Sequence, residues 1–367
     1  MKIGILTFHA SHNYGSMLQA FALQQTLRNW GCESEIINLR TDVQRFLILP
    51  PLEWNHPKSS LMKLVKNPCS TLIEQRKYNR FEKFLEKDLL LSPELKNHAE
   101  VEEWIQKADL DTIIVGSDQI WNTGCMDFDT SYLLDFPLKL QRIAYAPSLG
   151  SFPEKLAEEK REMLGEAWKK FDSLSTREKR GSDFVEQLTG RKVEVVLDPT
   201  LLLDKEHYHS LVVKKPLVKE PYLFYYTPRE EQGTFRMAKL LAEKLKMKIV
   251  VTQSHPDYEG ENLIRINDCG PREFLNVIAH ADFTIGKSFH LLAFSLIFQK
   301  EFLMVSRDKD SRMMNVLEPL ELEHRMISPD DMDVAVPDTL DFIKIQERMR
   351  KLRQSSLHFL RTALKLD

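Results

Sequence analysis

The sequence predicts an α/β fold made of two Rossmann-like domains that face a cleft. Short apolar runs alternate with segments of helical spacing, which is typical of parallel sheets flanked by helices. The alternation occurs in two successive sets of roughly 150 residues each, an ordinary domain size. The 367 residues are 43% hydrophobic with a formal net charge of −3, so a large core is expected and nucleic acid is not an expected partner.

The first domain is predicted over residues 1–190 and opens with a β–α–β unit. Residues 2–8 are an apolar run, and residues 16–30 place apolar side chains every three or four positions before a helix-ending glycine, Gly31. The other strands of this set are predicted at residues 34–39, 112–115, 142–145 and 173–176, with one more at 193–197 near the domain boundary.

Residues 41–100 interrupt the alternation. They contain several prolines and then a charged helix at 75–87, and they are predicted to form an insertion or lid in the first domain. The apolar stretch at 46–54 within this insertion is a candidate for membrane contact.

The second domain is predicted over residues 191–335. It repeats the alternation, with Pro271 at a helix first turn, where proline fits well. The strands are predicted at 222–226, 248–253, 263–267, 283–286 and 302–306, and the helices at 233–245, 271–280 and 291–298.

Residues 336–367 are predicted to form a long final helix, over 338–364, that packs back on the N-terminal domain. The segment is basic and its apolar residues recur at roughly helical spacing, so contact with an anionic membrane surface is the alternative. No stretch approaches the ~20 apolar residues of a membrane span, and the first residues form a strand instead of a signal peptide. The protein is predicted to be cytoplasmic, with peripheral contact at the inner membrane face as the alternative. The cysteines are scattered without a CxxC pair, so neither a zinc site nor a redox pair is expected.

Polar residues follow two strands of the first domain, at the sheet edge where α/β proteins bind ligands. Asn13, Gly15 and Ser16 stand at a helix start, where free N–H groups favour anions or sugar hydroxyls, although the spacing is not GxGxxG. Asp118 occupies a sharp turn after the strand at 112–115. It is a candidate to take a proton from a hydroxyl or to grip a sugar, and the alternative is that it caps a helix.

Positive charge collects after two strands of the second domain. Lys287, Ser288 and His290 stand on the short turn after the strand at 283–286 and supply a cation, a hydroxyl and an imidazole that titrates near pH ~6.5. The next strand end supplies Arg307, Lys309 and Arg312. This edge is therefore predicted to be cationic and to bind a small, multiply negative ligand.

Arg177 follows the strand at 173–176 in the first domain. Its planar guanidinium suits phosphate or carboxylate. The alternative is a surface pair with its neighbour Glu178.

Seven stretches of the chain have a combined order and spacing that is more specific than any one of them. They are NYGSMLQAFALQ (13–24), IIVGSDQIWN (113–122), AYAPSLG (144–150), STRE (175–178), VLDPTLLL (196–203), GKSFHLLAFSLIF (286–298) and RDKDSR (307–312). Together they resemble the polysaccharide pyruvyl transferase family over about residues 1–325.

The resemblance implies a GT-B-like fold, phosphoenolpyruvate as donor, and a sugar or lipid-linked oligosaccharide as acceptor. The family moves the enolpyruvyl unit onto two hydroxyls of one sugar of a surface or exopolysaccharide, which gives a pyruvate ketal and free phosphate. No metal and no organic cofactor is expected.

The resemblance also implies roles for three residues. Arg177 would grip the donor, His290 would act as general acid or base, and Lys309 lies where some members have a donor-binding lysine. From their positions at strand ends, Asp118 is a further catalytic candidate, and Lys287, Ser288, Arg307 and Arg312 are further donor-binding candidates. The candidate acceptor-binding residues are Asn13, Tyr14, Gly15, Ser16, Ser117, Gln119 and Trp121.

The chain departs from the family pattern at one position. Ser288 stands where well-studied members carry arginine, two positions before the histidine, and Phe289 replaces a leucine, as in a serine-phenylalanine-histidine subgroup. Two alternatives therefore remain. One is a GT-B glycosyltransferase that uses a nucleotide sugar, with Asp257, Glu259 and Glu261 as available carboxylates for a ribose. The other is a non-catalytic sugar- or anion-binding relative.

Overall fold

A computed structural model describes residues 1–53, 57–150, 156–212 and 215–366. Over these residues the strands form two parallel sheets of six strands each. The strands are β1 (Lys2–Leu6), β2 (Glu33–Ile36), β3 (Thr112–Val115), β4 (Gln141–Ala144), β5 (Ser173–Thr176), β6 (Glu194–Val195), β7 (Tyr222–Tyr226), β8 (Lys248–Val251), β9 (Leu263–Arg265), β10 (Phe283–Gly286), β11 (Glu301–Val305) and β12 (Met326–Ile327).

Helices lie between most of the strands. They are α1 (Tyr14–Asn29), α2 (Asp42–Leu47), α3 (Pro57–Lys66), α4 (Pro68–Asp88), α5 (His98–Lys107), α6 (Glu158–Lys169), α7 (Lys179–Thr189), α8 (Lys205–Tyr208), α9 (Thr234–Leu245), α10 (Pro271–His280), α11 (Phe289–Ile297), α12 (Ser311–Leu320) and α13 (Phe342–Leu364). Short 3-10 helices occur at Thr130–Leu133, Pro199–Leu202 and Glu323–Arg325.

The chain divides into two compact units. Unit 1 comprises Met1–Leu49, Leu85–Leu203 and Arg350–Asp367, and unit 2 comprises Pro50–Phe84 and Asp204–Met349. The division falls after β6 and the following 3-10 helix, whereas the sequence placed the boundary at residue 190. Residues of the predicted insertion at 41–100 belong to both units.

The sheet of unit 1 has the order β2-β1-β3-β4-β5-β6. Strand β3 is buried at all four residues, as expected for a parallel sheet that is covered on both faces. The tryptophans Trp121 and Trp168 pack in its core with ring centroids 4.9 Å apart. The carboxyl ends of β1 and β3 lie side by side because these strands pair, with Leu6 opposite Val115.

The sheet of unit 2 has the order β12-β11-β10-β7-β8-β9. Strand β10 lies between β7 and β11, and Gly286 at its end is opposite Tyr226 of β7 and Met304 of β11. The turns that follow these three strands are therefore neighbours, although about 60 residues separate β7 from β10 along the chain.

The final helix α13 does not offer its apolar side to a membrane. Ile345, Met349 and Leu360 have exposures of 4%, 2% and 0%, because these side chains pack in the protein. The alternative interpretation of the tail as a membrane-contacting helix is therefore wrong for this side of the helix. Of the second candidate, Phe46 is 68% exposed, and residue 54 lies outside the described residues. Among the helices described, none combines the length and the apolar character that crossing a bilayer requires.

Candidate functional site

In unit 1, two of the predicted turns meet at the carboxyl edge of the sheet. Asn13 caps α1, and its side-chain oxygen accepts hydrogen bonds from the N–H groups of Gly15, at 2.8 Å, and Ser16, at 3.4 Å. The hydroxyl of Ser16 donates a hydrogen bond to the Asp118 carboxylate, which also accepts one from the Gln119 N–H at 2.8 Å. The turn after β1 and the turn after β3 are thus joined through Asp118.

The backbone of this second turn is tightly packed. Gly116 has φ +125°, and a Cβ atom there would lie 2.0 Å from the carbonyl oxygen of Tyr145, so only glycine fits. The next residue, Ser117, is completely buried, and its hydroxyl donates to the Ala146 carbonyl at 2.8 Å and to Asp198 at 3.2 Å. These contacts fix the position from which Asp118 projects.

Five of the seven predicted acceptor-binding residues lie inside the protein, including Gly15 and Ser16 at the start of α1. Tyr14, Ser117 and Trp121 are all less than 5% exposed. Trp121 belongs to the core and donates its indole N–H to the carbonyl of Tyr132 at 3.2 Å. In this structure these side chains support the loop and do not face a ligand. The sequence did not distinguish the two cases, because an aromatic residue after a turn suits a sugar platform and a core equally well.

One carboxylate near Asp118 was missed from the sequence. Burial raises the pKa of Asp127, and the negative charge of Asp118 adds to this effect. The two carboxyl groups therefore influence each other electrostatically, and Asp127 favours its protonated form more than an ordinary aspartate does. Such a pair can separate proton-donating and proton-accepting roles. Asp127 follows no predicted strand, so position along the chain gave no signal.

Arg177 is buried and ion-paired. Its guanidinium donates to the Asp198 carboxylate at 2.8 Å, and the side-chain exposures of the two are 2% and 0%. Glu178 lies 3.9 Å away at 3% exposure, so the surface-pair alternative is wrong. Asp198 also accepts from the backbone N–H and the hydroxyl of Thr200, at 3.0 and 2.7 Å. The guanidinium and its carboxylate together fasten the loop after β5 to the loop after β6.

In unit 2, the opening turn of α11 is held by the neighbouring strand end. The backbone N–H of Lys287 donates to the hydroxyl of Thr227, after β7, at 2.9 Å. Ser288 caps α11, with its hydroxyl oxygen accepting from the Leu291 N–H at 3.3 Å. His290 lies in the first turn of α11, half-buried, with its ring edge-on to that of Phe289 at 5.3 Å.

The cations of this edge are joined by carboxylates. Lys287 and Arg307 both pair with Glu231, Arg307 at 3.1 Å. Arg307 also forms a two-point pair with Asp330, with both distances 2.7 Å. This contact raises the pKa of Arg307 and lowers that of Asp330. The cations of this edge are therefore neutralised by carboxylates, which the prediction of a cationic edge did not include. Glu231 comes from the loop after β7 and Asp330 from the loop after β12, and both are distant from Lys287 and Arg307 in the sequence.

The two remaining predicted cations, Arg312 and Lys309, differ in their ion pairing. Arg312 pairs with Asp310, which also caps α12, at 2.5 and 3.0 Å. Lys309 is exposed, has φ +45°, and forms no ion pair within the ranges that the structure describes. Lys309 is thus the cation of this group with the most freedom to reach a ligand.

Another carboxylate, Glu230, directly precedes Glu231 in the chain. Glu230 accepts hydrogen bonds from the hydroxyls of Tyr225, at 2.8 Å, and Tyr258, at 2.6 Å. Burial and the Glu230 charge both raise the pKa of Tyr258, so its hydroxyl remains a donor at physiological pH. The predicted ribose carboxylates Asp257, Glu259 and Glu261 flank Tyr258 in the chain and are exposed.

Replacing Gly286 by alanine is expected to destabilise unit 2 by about 1–3 kcal/mol or more, the cost of overpacking. A Cβ atom there would lie 1.9 Å from the carbonyl oxygen of Tyr226, which belongs to the paired strand and cannot retreat. Urea unfolding followed by far-ultraviolet circular dichroism measures the change. Gly190→Ala is the control, because Gly190 also has a positive φ, +69° against +155° at Gly286, but no atom within 4 Å of the new Cβ. Equal losses at the two positions would contradict the close-packing argument.

The family model for polysaccharide pyruvyl transferases matches residues 13–309. The chain belongs to the polysaccharide pyruvyl transferase family. The matched range contains all the predicted site residues except Arg312. A comparison with curated proteins gave no match.

Solved structures resemble this chain in fold. The UDP-GlcNAc 2-epimerase from Methanocaldococcus jannaschii has a TM-score of 0.51 at 13% identity, covering 95% of this chain and 92% of its own. The spinosyn forosaminyltransferase SpnP has a TM-score of 0.50 at 12% identity, covering 100% of this chain and 98% of its own. These likenesses and the two parallel sheets confirm the predicted GT-B-like α/β fold.

Proposed function

We propose that this transferase uses phosphoenolpyruvate as donor and forms a pyruvate ketal on a sugar of a surface or exopolysaccharide, or on its lipid-linked precursor. The observation that carries the proposal is the turn at the start of α11, where Lys287 and Arg307 pair with one carboxylate, Glu231, and His290 lies in the first turn of the helix. The family provides the reaction class, and the chemistry of this turn provides the reason for the donor.

Phosphoenolpyruvate carries a phosphate and a carboxylate close together, so it needs several cations. Lys287 and Arg307 already share one carboxylate, Glu231. An anionic donor can take the place of Glu231 between them, with Lys309 as a further cation from the adjacent loop. The N-terminus of α11 adds backbone N–H groups and a favourable dipole for the phosphate.

In the proposed reaction, His290 gives a proton to the methylene carbon of the donor, which becomes a methyl group. The neighbouring carbon then becomes electrophilic, and a sugar hydroxyl attacks it and loses its proton. The bond to phosphate breaks, and a second hydroxyl of the same sugar closes the ketal ring. Overall, two carbon–oxygen bonds form, one breaks, and inorganic phosphate leaves.

The acceptor is proposed to bind at the Asp118 edge of unit 1. Asp118 is 8% exposed, so part of the residue still reaches the surface. Asn13 is exposed and Gln119 half-buried, and both present amide groups beside Asp118, which suit sugar hydroxyls. Asp118 is proposed to accept a hydroxyl proton or to orient that hydroxyl.

Ser288 favours the two alternatives to a phosphoenolpyruvate enzyme. Its hydroxyl is used as a helix cap, so the position of the family's arginine offers no charge. A nucleotide-sugar glycosyltransferase, or a binding protein without turnover, would need less charge at this turn than a phosphoenolpyruvate enzyme needs. The donor must therefore be tested directly.

Calorimetric titration is expected to show binding of phosphoenolpyruvate and weaker binding of inorganic phosphate. Lys287→Ala and Lys309→Ala are each expected to weaken phosphoenolpyruvate binding about tenfold to a hundredfold, the value of a charge-assisted hydrogen bond. Lys344→Ala is the control, because Lys344 is an exposed lysine of α13 that pairs with Asp341. Binding of UDP-sugars without phosphoenolpyruvate binding would instead make the glycosyltransferase the better assignment.

A further inference from the structure

Helix α3 presents a large apolar surface to solvent. Leu61, Met62 and Val65 are 63%, 54% and 75% exposed. Leu61 and Val65 are four residues apart and therefore lie on one side of the helix, with Met62 beside them. Another side is anchored to the protein, because the buried Ser60 hydroxyl accepts from the Glu53 N–H at 2.8 Å and donates to the Glu53 carbonyl at 3.1 Å. The apolar side consequently faces outward.

The start of α4 extends this surface. The Thr71 hydroxyl donates to the carbonyl of Lys63 at 3.2 Å, which ties the first turns of α4 to the end of α3. Leu72, next to Thr71, is 49% exposed. The surface thus includes four large apolar side chains, and the single exposed apolar residues common on soluble proteins do not account for such a cluster.

The charge on the same segment has one sign. Lys58, Lys63 and Lys66 are exposed on α3, and residues 57–73 contain no aspartate or glutamate. The whole chain has a formal net charge of −3, so this segment is a local exception. Lysines beside an outward apolar side are the pattern of a helix that lies in the interface of an anionic bilayer.

We propose that α3 and the first turns of α4 dock on an anionic lipid surface. Leu61, Val65 and Leu72 would enter the boundary between headgroups and acyl chains, while Lys58 and Lys66 would contact the lipid phosphates. This surface takes the place of the apolar side of the final helix, where Ile345, Met349 and Leu360 are buried. The proposal goes beyond the proposed transfer reaction and does not depend on the donor.

Vesicle co-sedimentation tests the docking surface with the full-length protein. Wild-type protein is expected to bind phosphatidylcholine vesicles that contain about one-third phosphatidylglycerol, to bind pure phosphatidylcholine weakly, and to be released by high salt. Leu61→Ser/Val65→Ser is expected to lower the ratio of bound to free protein about tenfold or more, because both apolar contacts with the bilayer are lost. Lys58→Gln/Lys63→Gln/Lys66→Gln is expected to remove the preference for phosphatidylglycerol.

Ile343→Ser is the matched control, because Ile343 is 85% exposed on another helix of unit 2. It is expected to bind vesicles as the wild type does, and circular dichroism confirms that each variant is folded. Vesicle binding that survives Leu61→Ser/Val65→Ser would overturn the assignment of α3. Absence of wild-type binding would overturn the proposal, and a dimer that this double variant dissociates would assign the surface to self-association.

Discussion

His290→Ala is expected to lower phosphate release from phosphoenolpyruvate by about 10²–10⁴-fold, the usual contribution of a positioned general acid or base. Phosphoenolpyruvate binding, measured by calorimetry, is expected to remain close to that of the wild type. The reason is that donor binding and proton transfer are assigned to different residues of the α11 turn. The charges that hold the donor belong to Lys287 and its neighbours, while His290 contributes an imidazole, the group most often used for proton transfer in catalysis.

The acceptor in this experiment is a panel of UDP-sugars and simple methyl glycosides, with phosphate release as the readout. His280→Ala is the control variant. His280 ends α10, before the start of β10, and its ring nitrogen contacts the Asn276 carbonyl at 2.9 Å. It therefore lies at the other end of the strand that leads to His290. If His290→Ala lost binding and turnover in equal proportion, His290 would be a ligand contact and its proton-transfer role would be wrong.

Asp198→Ala is expected to destabilise unit 1 by about 3–5 kcal/mol, the cost of removing one partner from a buried ion pair. Arg177 would keep its charge at 2% exposure without this carboxylate. Thr200 would also lose the acceptor for its hydroxyl, and Ser117 would keep only the Ala146 carbonyl. Urea unfolding followed by tryptophan fluorescence measures the effect in the correct unit, because four of the five tryptophans lie in the ranges of unit 1.

Asp183→Ala is the matched control for this loss. Asp183 also pairs with a cation, Lys179, but both side chains are more than half exposed, so solvent screens the pair. A small change is expected there. Should Asp198→Ala cost no more than Asp183→Ala, the buried pair would not be an anchor. Arg177 would then be better explained by its predicted role as a donor ligand, and phosphoenolpyruvate affinity in Arg177→Ala would test that role.

The local pattern of the sequence was sufficient for most strands of the two sheets. The strands β3, β5, β7 and β10 have the predicted bounds. β3 and β7 are largely apolar, whereas β5 (SLST) is mostly polar. All four strands are buried along almost their whole length because helices cover both faces of a parallel sheet. The helix α12 was missed, because Pro319 inside it is a residue that usually ends a helix. The helix α3 was missed for a similar reason, since prolines stand on both sides of it.

The sequence placed some of the charged residues of the α11 edge together, but it did not indicate the carboxylates that pair with them. Parallel pairing of β10 with β11 was enough to expect Lys287 and Arg307 near each other. Their shared carboxylate, Glu231, follows β7, and only the strand order places β7 beside β10. No local pattern of the sequence indicates that order, because it depends on how the helices pack over the whole sheet.

The sequence by itself determined the α/β class, the family, and the turns that carry Asp118 and His290, since each rests on short-range patterns of apolar and polar residues. The tertiary structure alone decided that Arg177 is buried against Asp198 and that Trp121 is a core residue. It also decided which apolar side chains of the insertion stay exposed. Burial and ion pairing depend on residues far apart in the chain, and they are settled by packing instead of by local spacing.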